Sequence, residues 1–359
     1  MTEQPILKSH RRPGIETTVV SVGTVKFGDG SYPVIAGPIA LESEDQILAA
    51  ARLIAESGGS ILRAGTYLAG SSPYAYRGLG AEALWMLEHA GRETRLPVST
   101  EVLEPDHVDI VAEHVDVIEV GPDNMQNFVL LRAVGATHRP IVIHRGSAAT
   151  IDEWLLAAEY VLDAGNDAVV LCERGSRGFD PRTTDTLDIS AIPTVQRMSH
   201  LPVVVDPSPT AGHPELVQPL ALAARSAGAD GLMVPLHPDP SGALAGNGSH
   251  LDPERFAALM DALGIPSLRD EIDRIDRQVI RLLGRRLRSS IDIAKIKAAR
   301  ELAMRSPDRE AELIAEVRQD AEAEGMDPAY AEDLMDVVLR YSRAAQAAAV
   351  VQAEKADAG

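Results

Sequence analysis

Eight short apolar runs recur between residues 33 and 237, each followed by a stretch of helical character. They are PVIAGP (33–38), SILRAG (60–65), PVSTEV (97–102), DVIEVG (116–121), PIVIHRG (140–146), AVVLCERG (168–175), PVVVDPS (202–208) and GLMVPLH (231–237). Most are continuously apolar rather than alternating, the pattern of parallel strands buried on both faces. Parallel strands need a crossover, and stretches such as Glu44–Glu56, Asn127–Val134 and Thr150–Ala164 supply it. Eight units over about 230 residues predict an α/β chain closed into a (β/α)8 TIM barrel. The alternative is an open doubly wound sheet, which often starts with a Gly-rich dinucleotide fingerprint; none follows the first run. Ahead of the barrel, Val19–Gly30 alternates and ends in Gly-Asp-Gly, which reads as a small hairpin. Residues 1–18 are polar without a period and read as a loose arm. Residues 1–30 are thus arm and hairpin, and 31–264 the barrel.

The pattern changes after Gly264. Pro266 stops the preceding helix, and Ser267 is a suitable N-cap for the next. A charged, helical segment follows and predicts a small all-α domain over 267–350. Its first helix runs from about Leu268 to Leu302. The second starts at Ser306-Pro307 and ends near Gly325, and the third runs from about Asp327 to Ala349. The tail, 351–359, is expected to fray.

No apolar run approaches the roughly 18–20 residues of a membrane span, and MTEQPILKSHRRPG lacks a signal-peptide core. A single cysteine, Cys172, rules out a disulfide within one chain. These features predict a cytoplasmic protein with no membrane partner. A formal net charge of −19 disfavours nucleic acid, whose phosphates demand a basic surface. It also means that any anionic ligand must be met by locally concentrated positive charge.

The first tail helix carries such charge. Ile272, Val279, Arg286 and Ile293 are spaced by seven, as are Ile275, Leu282, Ser289 and Ile296, which makes a coiled-coil seam. Arg286 stands in the seam where an apolar residue is expected, so it needs an anion. That anion is either an acidic residue on a neighbouring helix or a ligand. Arg286 and Lys297 are 11 residues apart, within roughly 20° of one face and about 16 Å along the axis. Arg269, 17 residues before Arg286, lies roughly 25 Å away and about 100° around. One small ligand cannot touch both arginines of one helix, so a shared role for them requires a second subunit.

The run LRDEIDRIDRQVIRLLGRRLRSSIDIAKIK, continued by Pro307-Asp308-Arg309-Glu310 and closed by Ser342 and Gln346, resembles the intertwined-dimer helical chorismate mutases. The resemblance covers the whole tail. It implies a homodimer in which Arg269 reaches into the partner's site, and it matches Arg286, Lys297, Arg309, Glu310, Ser342 and Gln346 to the remaining site positions. Where the family often has an acidic residue, three positions before Arg309, this chain has Ser306. The implied reaction is the pericyclic rearrangement of chorismate to prephenate, which needs no nucleophile, metal or cofactor. Arg269 and Arg286, helped by Arg309, would hold the carboxylates. Lys297 and Gln346 would donate to the ether oxygen, and Glu310 would accept from the hydroxyl beside Ser342.

Residues 33–262 resemble the 3-deoxy-7-phosphoheptulonate (DAHP) synthase barrel, through Ala36-Gly37-Pro38, Asn124-Met125-Gln126-Asn127-Phe128, Leu171-Cys172-Glu173-Arg174-Gly175, Asp206-Pro207-Ser208 and His237-Pro238. That family condenses phosphoenolpyruvate with erythrose 4-phosphate on a divalent metal held by Cys, His, Glu and Asp. At the matching positions this chain has Ile39, Pro209, Pro235 and Gly246. Its Lys-Pro-Arg-Thr is Leu68-Ala69-Gly70-Ser71 here, another arginine is Asp123, and a lysine is His144. Arg63, Arg145 and Arg174 remain at strand ends, either as a surviving anion pocket with His144 or as remnants paired with Glu101, Asp123 or Glu173. A new metal site on His144, His213 and His237 is a third, weaker arrangement.

The favoured expectation is a chorismate mutase fused to a barrel without metal-dependent aldol activity, serving as scaffold or regulator. One alternative is a bifunctional DAHP synthase and chorismate mutase, which would need a divalent metal. Another is a barrel with new metal-free chemistry on chorismate, prephenate or another enolpyruvyl acid. The last is a non-catalytic regulator of a pathway-enzyme partner. A second interface through the barrel would raise the dimer to a tetramer.

Overall fold

The computed structural model describes residues 7–11, 14, 17–70, 72, 74–180, 183, 185–246, 248–300, 302–303 and 306–357, with side chains at all of these except 268–271, 273–274 and 350–357. The chain forms two compact units, Met1–Arg269 and Asp270–Gly359.

The first unit opens with a hairpin of β1 (Val20–Val22) and β2 (Val25–Phe27). Each of the eight apolar runs then yields one strand: β3 (Val34–Gly37), β4 (Ile61–Arg63), β5 (Val98–Glu101), β6 (Val117–Val120), β7 (Ile141–His144), β8 (Val169–Glu173), β11 (Val203–Val205) and β12 (Gly231–Pro235). They pair in parallel in chain order, and β12 closes on β3, Leu232 beside Val34 and Pro235 beside Gly37. A short hairpin of β9 (Ser176–Arg177) and β10 (Asp185–Thr186) is inserted after β8.

The crossovers are α1 (Glu44–Glu56), α2 (Ala81–Thr94), α3 (Val108–His114), α4 (Phe128–Ala136), α5 (Ile151–Asp163), α6 (Ala191–Met198), the one-turn α7 (Ser208–Ala211), α8 (Pro214–Ser226) and α9 (Pro253–Ala262). Local chemistry sets their starts. Ser43 caps α1, and Thr150 and Glu153 form a reciprocal capping box on α5, each satisfying an N–H that the helix cannot.

Side-chain alternation divides the core in two. Ile35, Ile61, Val117, Val142, Val170, Val204 and Met233 point inward and meet Val20, Val22 and Phe27. Their neighbours Val34, Leu62, Ile118, Ile143, Leu171, Val203 and Leu232 pack outward against the helices. The inward set sits at the N-terminal ends of the strands, so the hairpin plugs that end. The C-terminal end carries the next inward positions, which are polar on four of these seven strands, as Arg63, Glu119, His144 and Asp206, and are Gly37, Cys172 and Pro235 on the others.

The described part of the N-terminal arm is anchored rather than loose. Lys8 N and Ser9 N donate to the Glu159 carboxylate at 2.7 and 2.9 Å, and Arg11 N donates to Met198 O at 2.9 Å. Glu159 on α5 supplies a charged acceptor for two backbone donors, which composition alone does not reveal.

The second unit is α10 (Leu268–Ala299), α11 (Pro307–Ala323) and α12 (Pro328–Asp357). Ser306 stands at the N-cap of α11 with Pro307 in its first turn. Contrary to the expected fraying after Ala349, α12 continues to Asp357. Residues 350–357, VVQAEKAD, contain no Gly or Pro and mostly good helix formers, so nothing local stops the helix.

Candidate functional site

The inward alternation carries Arg63, Ser99, Glu101, Glu119 and His144 to the open end of the barrel. Glu119 is buried at the centre of a network. Arg63 donates to it through Nε (3.3 Å) and Nη2 (3.1 Å), Ser99 Oγ donates at 2.7 Å, and His144 Nε2 lies 3.3 Å away. Burial pushes the Glu119 carboxyl up, but Arg63, His144 and Ser99 outweigh it, so its pKa is lowered and it stays ionised. Burial holds the His144 imidazole below its ordinary value against the pull of Glu119, which favours the neutral ring. With Nε2–H turned to Glu119, Nδ1 is left as a buried acceptor without a partner among the described residues.

Above this network lies a cavity of about 210 Å3. Arg63, Glu101, His144, Arg174, Asp206, Ser208 and Ser249 form its polar wall, and Ile39, Leu68, Pro209 and Pro235 the apolar one. Glu101 lies flat against Gly121, where a Cβ would collide with the carboxylate. Burial, and then repulsion from Glu119, raise the Glu101 pKa to about 7 despite Arg63 and Arg174. Arg174 Nε and Ser208 Oγ are buried without a hydrogen-bond partner among the described residues.

Arg145 is not part of this cavity. It follows the inward His144, so it points to the helix side, where it donates to Glu173 Oε2 (2.8 Å), Asp188 Oδ2 (3.2 Å) and Ala149 O (3.0 Å). The expected anion pocket of Arg63, Arg145, Arg174 and His144 is therefore corrected. Arg63 and Arg145 are neutralised, with Glu119 and Asp188 as partners that sequence reasoning did not single out. Period-two alternation from Val117 was the available signal for Glu119.

In the helical unit, Arg286 Nη1 donates to Ser342 Oγ at 2.8 Å, and Ser342 Oγ donates to Val338 O at 2.8 Å. One turn on, Gln346 Nε2 donates to Ser290 O at 3.0 Å. Two i, i+4 pairs thus face each other across α10 and α12. Among the described residues Arg286 has no carboxylate within ion-pair distance. Lys297 is half-buried near the end of α10. On the first turn of α11, half-buried Glu310 pairs with Arg343 at 3.1 Å, whereas exposed Arg309 pairs with Glu312 at 2.9 Å. The Arg269 side chain lies outside the described residues.

Residues 14–265 match the family model "DAHP synthetase I family", and residues 268–347 match "Chorismate mutase type II". The chain belongs to the DAHP synthetase I family and carries a type II chorismate mutase domain. It is 42% identical over 257 residues to a phospho-2-dehydro-3-deoxyheptonate aldolase of Thermotoga maritima, covering 70% of this chain and 76% of that protein. It is 32% identical over 231 residues to a 2-dehydro-3-deoxyphosphooctonate aldolase of Acidithiobacillus ferrooxidans, covering 59% and 81%. The crystal structure of the Thermotoga maritima DAHP synthase superposes with a TM-score of 0.70 at 40% identity, covering 74% of this chain and 79% of that one.

DAHP synthetase I membership implies a divalent metal, and the residues present do not fit one. Ile39, Pro209 and Pro235 line one cavity. Gly246 abuts Ile39, whose Cδ1 fills the space a Cβ at 246 would take. None of the four has a side-chain donor atom. His250, beside Gly246, already accepts the Ile39 N–H at 3.1 Å. His213 is exposed at the N-cap of α8, and His237 packs edge-on to His250, so neither joins His144. Of the positions read from the resemblance as phosphate-binding replacements, Leu68 lies on the cavity wall and Asp123 is exposed, while Ser71 lies outside the described residues. Among the described residues no helix is long and apolar enough to cross a membrane.

Proposed function

We propose that the chain is a chorismate mutase, converting chorismate to prephenate in its helical domain, and that its barrel does not run the metal-assisted condensation of its family. The observation that carries the first part is Arg286: a half-buried guanidinium, fixed by a neutral hydroxyl and without a carboxylate partner among the described residues. It offers further N–H donors to a substrate carboxylate, for which a guanidinium is geometrically suited. The rearrangement is unimolecular, so the site acts by holding a flexible dicarboxylate in a compact conformer. Gln346 is braced on Ser290 beside Arg286. With Lys297 it would donate to the ether oxygen as negative charge grows there, and fixed donors of this kind contribute several kcal/mol. Glu310 would accept from the substrate hydroxyl on leaving Arg343, and Arg309 would leave Glu312 for the second carboxylate.

Arg269 would complete the site from a second copy. Support comes from the stripe on α10: Ile272, Ile275, Val279, Leu282, Ile293 and Ile296 are each about half exposed or more within one chain. A patch this continuous on a 32-residue helix calls for a covering surface, and a second α10 carries the complementary seam. Ile275→Asp is expected to shift the protein from dimer to monomer by light scattering and to abolish turnover; an active monomer refutes the shared site.

Incubation of purified protein with chorismate, with the product read by NMR, tests the mutase. Prephenate is expected, and unchanged chorismate rejects the assignment. The 42% identity to the Thermotoga maritima aldolase favours the bifunctional alternative. Turnover of phosphoenolpyruvate with erythrose 4-phosphate in the presence of Mn2+ would establish it; none is expected.

A further inference from the structure

We infer that the cavity at the C-terminal mouth of the barrel is a metal-free binding site for a small, unphosphorylated carboxylic acid bearing a hydroxyl or carbonyl group, with Arg174 receiving the carboxylate and Glu101 bonding the oxygen function. The inference rests on the reading that the barrel does not run the metal-assisted condensation.

The geometry separates this cavity from a merely vacant one. Its polar wall holds two ionisable groups of opposite sign that do not pair with each other. Arg174 has a buried, unpartnered Nε, and Glu101 makes no hydrogen bond or ion pair with a described residue, although both line the same space. Ser208 Oγ and His144 Nδ1 add two more polar atoms without a partner among the described residues, on residues that are 2% and 4% exposed. Four polar groups left unsatisfied around one cavity are costly unless a ligand completes them. Opposite them, Ile39, Leu68, Pro209 and Pro235 suit an apolar body.

Charge sets the class. Arg63 is consumed by Glu119, so Arg174 is the one cation of the lining without a counter-ion among the described residues. Asp206 is also in the wall, and Asp123 stands near Glu101. Arg174 can receive one negative charge there, whereas a phosphate dianion would face Asp206 and Asp123 with Arg174 as its only uncommitted cation among the described lining residues. At about 210 Å3 the cavity is smaller than drug-sized pockets, which limits the ligand to a single ring or short chain.

Glu101 faces Arg63 from β4, Glu119 from β6, Asp123 beyond it and Arg174 after β8. Its pKa near 7 means that it can donate a proton in a hydrogen bond at neutral pH. Binding therefore tightens as pH falls through about 7.

Calorimetric titration of the full chain with 3-hydroxybenzoate tests the site. One site is expected that survives Arg286→Ala, weakens at least tenfold in Arg174→Gln, and loses its dependence on pH in Glu101→Gln. Leu68→Trp, which fills the cavity from its apolar wall, is expected to give the same loss should Arg174→Gln fail to fold. Tighter binding of phosphoenolpyruvate or inorganic phosphate, or affinity indifferent to both Arg174→Gln and Leu68→Trp, overturns the inference. Absence of 3-hydroxybenzoate binding alongside absent condensation with Mn2+ overturns the site alone, whereas condensation overturns the reading beneath it.

Discussion

Arg286 in the helical domain and Arg63 in the barrel are both partly buried arginines, and the fold treats them oppositely. Arg63 is gripped through two nitrogens by Glu119, itself also bound by Ser99 and approached by His144, so its charge is consumed inside the protein. Arg286 is positioned by Ser342, which orients the guanidinium without cancelling it. Whether an arginine can serve a ligand thus depends on whether the fold supplies its own counter-ion. Arg145, between Glu173 and Asp188, resembles Arg63 in this respect, and Arg174 resembles Arg286. Belonging to the DAHP synthetase I family does not settle the matter, because a shared fold leaves the charges of the site to be read from its own residues.

The sharpest way to break this comparison is to make the same substitution in both places. Arg286→Ala is expected to lower chorismate turnover by about 100- to 1000-fold, the effect of removing one preorganised donor, with little change in thermal unfolding. Arg63→Ala is expected to cost about 3–5 kcal/mol of stability, because Glu119 is left as an uncompensated buried charge. Steady-state kinetics and chemical denaturation read the two effects. A stability loss at Arg286 as large as that at Arg63 would mean that Arg286 is a structural cation after all.

Glu101 sharpens the comparison in the pH dimension. Its folded pKa of about 7 lies above the ordinary glutamate value, so the folded state resists ionising it. The resulting penalty is absent below about pH 4.5, grows through the interval and is complete above about pH 7. Glu101→Gln removes it and is expected to raise stability at pH 8 by on the order of 3 kcal/mol, with no gain at pH 4. Denaturation midpoints at the two pH values check this. An equal effect at both would show that Glu101 has a normal pKa.

Much of this was legible in the chain. Eight mostly apolar runs produced eight parallel strands, and the break at Pro266 fell beside the division between the compact units. Heptad spacing singled out Arg286, which meets Ser342 of α12 in the helical unit. What escaped were relations between segments distant in sequence. Glu119 looked like one more residue of an apolar run, and only alternation from Val117 turns it inward toward Arg63, 56 positions earlier. Arg145 looked equivalent to His144, although neighbours on a strand face opposite ways. The anchoring of Lys8 and Ser9 depended on Glu159, about 150 positions away, and no local pattern announces such a partner.

The smallest expected effect concerns Ile39 and Gly246, which abut each other at the mouth of the barrel. Gly246 has φ +72°, and a Cβ there would run into Ile39 Cδ1. Gly246→Ala is expected to destabilise through two separable terms: about 1 kcal/mol for the left-handed backbone, and roughly 1–2 kcal/mol for overpacking against Ile39. In an Ile39→Ala background only the first term remains, so the double-mutant cycle should show a coupling of about 1–2 kcal/mol. Coupling of that size means that the isoleucine and the glycine interlock, and that a carboxylate could not be introduced at 246 without also replacing Ile39. Coupling near zero would instead mean that the mouth tolerates each change independently, leaving the barrel one or two substitutions nearer to its relatives than the packing implies.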